Sequence, residues 1–178
     1  LVTSAETKIG PEGDLLNPSP ESCRQITLDR PILKNPELER LRNIKIKGHK
    51  TKTIPILFDK ELGVDALELG MELLFERVDA AIKAGFDLIV LSDRGLDENN
   101  VPIPALLAVS GVHHHLIRNE TRTRVGLIVE SGEPREVHHF CLLIGYGAQS
   151  INPYMAFESL HDMVREGLLE EYSYEESE

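Results

Sequence analysis

Apolar positions along this chain change their spacing near residue 53. From there on, short β-branched or leucine-rich runs alternate with longer stretches in which apolar residues recur every three or four positions. The pattern predicts four βα units. The first has a strand over Thr53 to Phe58. Its helix opens at Asp65-Ala-Leu-Glu68, the spacing of a capping box, holds Met71, Leu74, Val78 and Ile82 on one face, and stops at Gly85 as a left-handed C-cap. In the second unit a nearly continuous apolar run, Phe86 to Leu91, reads as a parallel strand covered on both faces, and a helix from Pro104 to Arg118 follows a polar loop. Arg124 to Val129 and Arg135 to Ile144 form the third unit. Gln149 to Asn152 and Pro153 to Glu166 form the fourth, with Pro153 suited to a first helical turn.

Strands that alternate with helices predict an α/β fold with a parallel sheet and right-handed crossovers, and both an incomplete (β/α) barrel and an open doubly wound sheet satisfy that pattern. Upstream the chain differs. Pro11, Pro18, Pro20, Pro31 and Pro36 fix the backbone into an extended N-terminal arm, yet Leu15, Leu16, Ile26, Leu28, Ile32 and Leu33 make it too apolar for a linker. An arm laid along a packed surface is expected. Asn35 is placed to cap a short helix that runs from Pro36 through Arg42. The organisation is therefore 1–52 as arm and short helix, 53–167 as the βα core, and 168–178 as an acidic tail read as a solvated end.

Composition narrows the function. With 178 residues, 41% hydrophobic and 28% charged, the chain suits one globular domain. No segment approaches the ~18 uninterrupted apolar residues of a membrane span. Nineteen basic against 30 acidic residues give a net charge of -11, which repels a polyanion, so neither nucleic acid nor membrane is an expected partner. The two cysteines, Cys23 and Cys141, lie in unrelated segments without metal-ligand spacing. The stretch from Leu1 has no basic n-region or apolar h-region and reads as interior sequence of a longer chain.

In folds of this class the chemistry sits at the carboxyl ends of the strands. Those ends deliver Asp59, Ser92, Asp93, Arg94, Glu130, Ser131 and Asn152. A carboxylate pair with an arginine there suits an acid/base or metal site, and equally a rim network of ion pairs and helix caps, the commoner use. Arg94 and Glu130 come from adjacent strand ends and are expected to hold one another, at the ~3–5 kcal/mol of a buried pair if both are buried. His113, His114 and His115, with His138 and His139 on the next helix, raise the possibility of a metal. Adjacent helical residues point ~100° apart, so three in a row cannot face one ion, and only one histidine from each cluster together with Glu130 remains as a ligand set. Gly145-Tyr-Gly147-Ala precedes a strand and reads as a turn with Gly145 as C-cap, not as a phosphate loop. Glu130-Ser-Gly-Glu133-Pro-Arg135 does join strand to helix, but its carboxylates oppose an anion. No arrangement for nucleophilic catalysis is visible.

Several segments taken together are more specific: IVLSDRG at Ile89–Gly95, PIPALLAVSGVHHHLIR at Pro102–Arg118, TRVGLIVESGEPREVHHF at Thr123–Phe140 and LIGYGAQSINPYMAFE at Leu143–Glu158. With SAETKIGPEGDLL, ESCRQITLDRPIL and ELERLR in the arm, they resemble the central domain of glutamate synthase over nearly the whole chain. The resemblance implies a large flavoenzyme that makes L-glutamate from glutamine and 2-oxoglutarate, with a glutaminase domain, an FMN domain carrying an iron–sulfur cluster, and a central domain between them that helps form the ammonia passage. It implies an incomplete barrel without flavin of its own, partners within the same polypeptide, and a cytoplasmic or, in a photosynthetic eukaryote, plastid location. No catalytic, cofactor or metal residue carries over. Ser92, Asp93, Arg94, His113, His114, Glu130, Ser131, Glu133, Arg135, His138 and Asn152 are the candidate interface or passage residues. A free-standing flavin- or phosphate-binding half-barrel and a His/Glu metal-dependent hydrolase are the competing readings.

Overall fold

The βα pattern builds the expected parallel sheet, and the arm builds its second face. The computed structural model describes residues 4–14 and 16–169. Two short arm strands, β1 (Thr7–Ile9) and β2 (Ile26–Leu28), pair antiparallel with Lys8 opposite Thr27. Helix α1 covers Asn35–Arg42. The repeat follows as β3 (Thr51–Pro55), β4 (Leu57–Asp59), α2 (Ala66–Lys83), β5 (Leu88–Ser92), β6 (Asn100–Pro102), α3 (Ala105–Arg118), β7 (Gly126–Glu130), α4 (Val137–Gly145), β8 (Ser150–Asn152) and α5 (Tyr154–Arg165).

The sheet order β3-β5-β7-β8 is sequential and parallel throughout. Helices α2, α3 and α4 pack on one face, where Leu74, Val78, Val109, Val112, Leu116 and Leu143 meet Ile54, Ile89, Leu91, Leu127, Val129 and Ile151. Sequential order with the crossover helices on one face is the winding of a (β/α) barrel, because a doubly wound sheet would carry helices on both. The barrel does not close.

The opposite face, which would line a barrel interior, carries Leu88, Val90 and Ile128, and the arm fills the space above it with Ile9, Leu33, Leu38 and Leu41. Sequence pattern already favoured an arm on a packed surface, and the surface is this chain's own sheet. Gly126 explains how close the arm lies: a Cβ there would stand 2.6 Å from the Gly10 nitrogen. At the β8 edge the arm adds pairing of its own, since the Leu33 N–H donates to the Ile151 carbonyl at 2.8 Å and the Ile151 N–H to the Pro31 carbonyl at 2.8 Å. Leu16 departs from the expectation and is exposed. Leu15, Leu1 to Thr3 and the tail from Glu170 to Glu178 lie outside the described residues.

Several boundaries shift for identifiable reasons. The strand expected over Thr53 to Phe58 divides at Ile56, whose N–H still donates to the Ser92 carbonyl while its own carbonyl accepts from the Ile103 N–H. β4 then turns away to pair antiparallel with β6. Asp65 makes no capping bond, because its backbone (φ -91°, ψ 5°) lacks the extended conformation that lets an N-cap side chain reach back. Asn35 does not cap α1 either: Lys34 occupies that position, and its N–H donates to the Glu37 carboxylate at 2.7 Å. The helix expected from Arg135 starts at Val137, and Gly147 (φ 116°), not Gly145, takes the left-handed position after it. β5 and β7 each run one residue further than predicted, to Ser92 and Glu130.

Candidate functional site

That one-residue extension creates the site. Ser92, Glu130 and Asn152 become the last residues of three neighbouring strands and stand in register, Ser92 opposite Glu130 and Glu130 opposite Asn152. Side chains two apart on a strand share a face, so all three follow Val90, Ile128 and Ser150 onto the arm side of the sheet. They are buried there, Glu130 at 1% exposure and Asn152 at 0%.

Glu130 is the hub. Its carboxylate accepts from the Ser92 hydroxyl, from Arg94 Nε at 2.7 Å and from a terminal nitrogen of Arg42. The expected Arg94–Glu130 pair is present, but the more buried arginine is Arg42, delivered by the last turn of α1, with a side chain 23% exposed against 46% for Arg94. Burial works against the Arg42 charge, yet the Glu39 and Glu130 carboxylates outweigh it and hold the guanidinium above its ordinary pKa. Arg94 in turn lies over the Tyr154 ring at 3.8 Å, a cation–π contact at the start of α5.

A second pair stands beside this layer. Asp93 accepts from the Ser131 hydroxyl at 2.7 Å and from the Gly132 N–H at 2.9 Å, which fixes the loop after β7. The Tyr154 hydroxyl lies beside the same carboxylate, and burial first, then the Asp93 carboxylate as hydrogen-bond partner and charge, push the phenol up to about 12. Asn152 donates from Nδ2 to the Leu33 carbonyl and to Asn35 Oδ1, both at 2.9 Å, so Asn35 locks the arm instead of capping its helix. Two buried acceptors, Asp93 Oδ1 and Asn152 Oδ1, receive no hydrogen bond from the described residues.

The other candidates do not join this cluster. Glu133 accepts from the Ala105 N–H at 3.0 Å and so caps α3 from outside, where a carboxylate also complements the helix dipole. The Arg135 N–H donates to His139 Nδ1 at 3.1 Å, and His138 is exposed. His115 stacks on Phe75 at 4.5 Å and meets Asp79 at 3.0 Å. His113 accepts at Nδ1 from Arg122 Nε at 2.9 Å, while the other Arg122 nitrogens donate to the Val125 and Gly147 carbonyls at 2.9 and 3.0 Å. His114 meets only the edge of His113 among ring contacts. The ligand set of one histidine per cluster with Glu130 is therefore corrected: Glu130 is surrounded by arginines at the strand ends, whereas His113 ties the loops that lead into β7 and β8. Among the described residues no three His, Cys, Asp or Glu side chains form a group able to hold a metal.

His113 carries a pH prediction. Burial, then the Arg122 charge and His114, lower its pKa from 6.5. The folded chain thus resists a proton that the unfolded chain accepts, so this contribution to stability is full above about pH 6.5 and is lost as pH falls below it. Melts between about pH 5 and about pH 7.5 should show a rising Tm that His113→Asn flattens, since the amide oxygen accepts from Arg122 without titrating. Equal slopes for the two proteins would remove His113 as the source.

The arrangement invites comparison with known proteins. The family model for the glutamate synthase central domain matches residues 1–178. The chain belongs to the glutamate synthase central-domain family. It is 47% identical over 177 residues to the large chain of the NADPH glutamate synthase of Bacillus subtilis, covering 99% of this chain and 11% of that one. To the NADH glutamate synthase of Schizosaccharomyces pombe it is 39% identical over 171 residues, 95% of this chain and 8% of that one. To the chloroplastic ferredoxin-dependent glutamate synthase of Spinacia oleracea it is 41% identical over 162 residues, 89% and 10%. This central domain therefore spans only 8% to 11% of these relatives. Among its described residues no helix is long and apolar enough to cross a membrane.

Sequence reasoning missed Arg42, Asn35 and Tyr154. Arg42 lies 88 residues from Glu130, and no local pattern links the two.

Proposed function

We propose that this chain is a noncatalytic central domain that joins a glutaminase domain to an FMN-bearing synthase domain of the same polypeptide. It contributes to the route by which ammonia passes between them during L-glutamate formation from glutamine and 2-oxoglutarate. The state of Glu130 carries the reading. A general base needs an accessible lone pair at the reacting proton, whereas this carboxylate is 1% exposed and is shared among Arg42, Arg94 and Ser92. Its role is to fix three strand ends and the arm in one frame.

Flavin and cluster belong elsewhere in such a polypeptide. The strand ends, where a barrel cofactor would sit, carry the buried Glu130 tied to Ser92, Arg94 and Arg42, and two cysteines cannot supply the four thiolates of an iron–sulfur cluster. FMN and the cluster are assigned to the synthase domain.

The passage reading is supported by the buried acceptors. Ser92 and Ser131 are poor contacts for a moving ammonia, because each hydroxyl already donates to a carboxylate and accepts from a backbone N–H. Asp93 Oδ1 and Asn152 Oδ1, by contrast, can accept from an N–H donor. In the full-length enzyme Asn152→Ala should raise glutamine hydrolysed per glutamate formed, and Leu33→Ala, which loosens the arm but keeps this acceptor, should not. An unchanged ratio in a folded Asn152→Ala enzyme would remove Asn152 from the passage.

A further inference from the structure

The two edges of the parallel sheet are not treated alike. At β8 the edge is closed by arm residues 31–33, through the Leu33 and Ile151 hydrogen bonds and a parallel bridge at Ile32. At β3 it is open. The ladder from β3 to β5 begins with the Leu88 N–H on the Lys50 carbonyl and ends with the Ile56 N–H on the Ser92 carbonyl, so it uses the even-numbered residues between them. The backbone groups of Thr51 and Thr53 consequently point outward, and among the described residues no backbone partner meets them. Parallel sheets are rarely left with such an edge.

Beside this edge runs a groove of about 470 Å³ between β3 and α2. Ala80, Ala81 and Ala84 keep its helical wall low, and Phe86 forms one end with Lys52 above its ring at 5.8 Å. The charged residues on its lining are Lys52 and Arg77, with no carboxylate, in a chain of net charge -11.

We propose that the outer edge of β3 is a docking site for an extended, acidic segment supplied by the remainder of the polypeptide, which adds a strand to the sheet through Thr51 and Thr53. Three observations select that occupant. The opposite edge is closed by an extended segment in the same manner, the groove is basic, and the relatives carry about nine-tenths of their length outside this domain. Pro55, which has no N–H to offer, ends the pairing on the outer side. The inference needs only that the domain sits within a longer chain. It stands or falls apart from the ammonia passage.

Hydrogen exchange on the full-length polypeptide tests it. Thr51 and Thr53 amides should be protected, and the pair Lys52→Glu with Arg77→Glu should speed their exchange by at least about tenfold while Val90 and Ile128 stay slow. Thr53→Pro removes the outward N–H together with the hydroxyl that accepts from Arg42 Nε at 3.4 Å, so Thr53→Val serves as the control for the hydroxyl, and Thr53→Pro should release Thr51 well beyond any change that Thr53→Val causes. A photo-crosslinker at position 55 should capture a segment rich in Asp and Glu. Unprotected amides in the full-length protein overturn the proposal, as does protection that survives charge reversal. Protection already present in the 178-residue chain also overturns it: growth with concentration would identify a second copy as occupant, and independence of concentration the chain's own acidic tail.

Discussion

Glu130→Ala should lower the unfolding free energy by about 3 kcal/mol, the low end of the ~3–5 kcal/mol typical when one partner of a buried ion pair is removed. The carboxylate is 1% exposed and collects Ser92, Arg94 and Arg42. Its loss leaves Arg42 with Glu39 as its remaining carboxylate and leaves a buried hydroxyl without its acceptor. Water can reach both guanidiniums in part, which keeps the cost from the upper end of the range. Arg94→Ala should cost about 1 kcal/mol or less on the same scale, because that side chain is 46% exposed. Urea denaturation of the two variants checks the order. A larger loss from Arg94→Ala would mean that the rim loop, not the strand-end layer, holds the site together.

Leu33→Ala should destabilise the domain by about 3 kcal/mol, within the ~2–5 kcal/mol of a truncated buried leucine. Leu33 is 1% exposed and packs with Ile9, Leu38 and Leu41 against Val90 and Ile128. The same residue is the arm's hydrogen-bonded anchor, through its N–H to Ile151 and its carbonyl to Asn152. A cavity here weakens the contact that keeps the arm on the sheet, so limited proteolysis before residue 31 should accelerate together with the loss of stability. A loss below about 1 kcal/mol would mean that the arm is an accessory and not half of the core.

These two residues show what could and could not be read along the chain. Leu33 was legible as a buried arm position, because an apolar residue among prolines needs a surface to cover. Glu130 was legible as a strand-end carboxylate, and its pairing with Arg94 follows from two adjacent βα units. Arg42 was not: it sits on a helix that precedes the repeat, and its charge reaches Glu130 only because the arm folds back over the sheet. Asn35 was misread for a related reason. Its side chain suits a helix cap, but Asn152 claims the same oxygen from across the fold. The histidines suggested chemistry by their number, while two of them found partners that the pattern could not display, Arg122 for His113 and Asp79 for His115.

The sequence by itself determined the order of the four core βα units and their parallel sheet, the strand-end location of Ser92, Glu130 and Asn152, and membership of the family. All of these rest on periodicity, punctuation and motifs that act within one βα unit, where burial of a single face dictates the spacing. Only the tertiary structure decided that the barrel stays open, that the arm fills its inner face, and that β3 pairs on one side alone among the described residues. It alone decided that Glu130 serves as a buried hub and not as an accessible base. Those outcomes depend on contacts between segments far apart in the chain, such as Asn152 and Leu33 at 119 residues, where the choice of partner is set by the space left over once the local elements have packed.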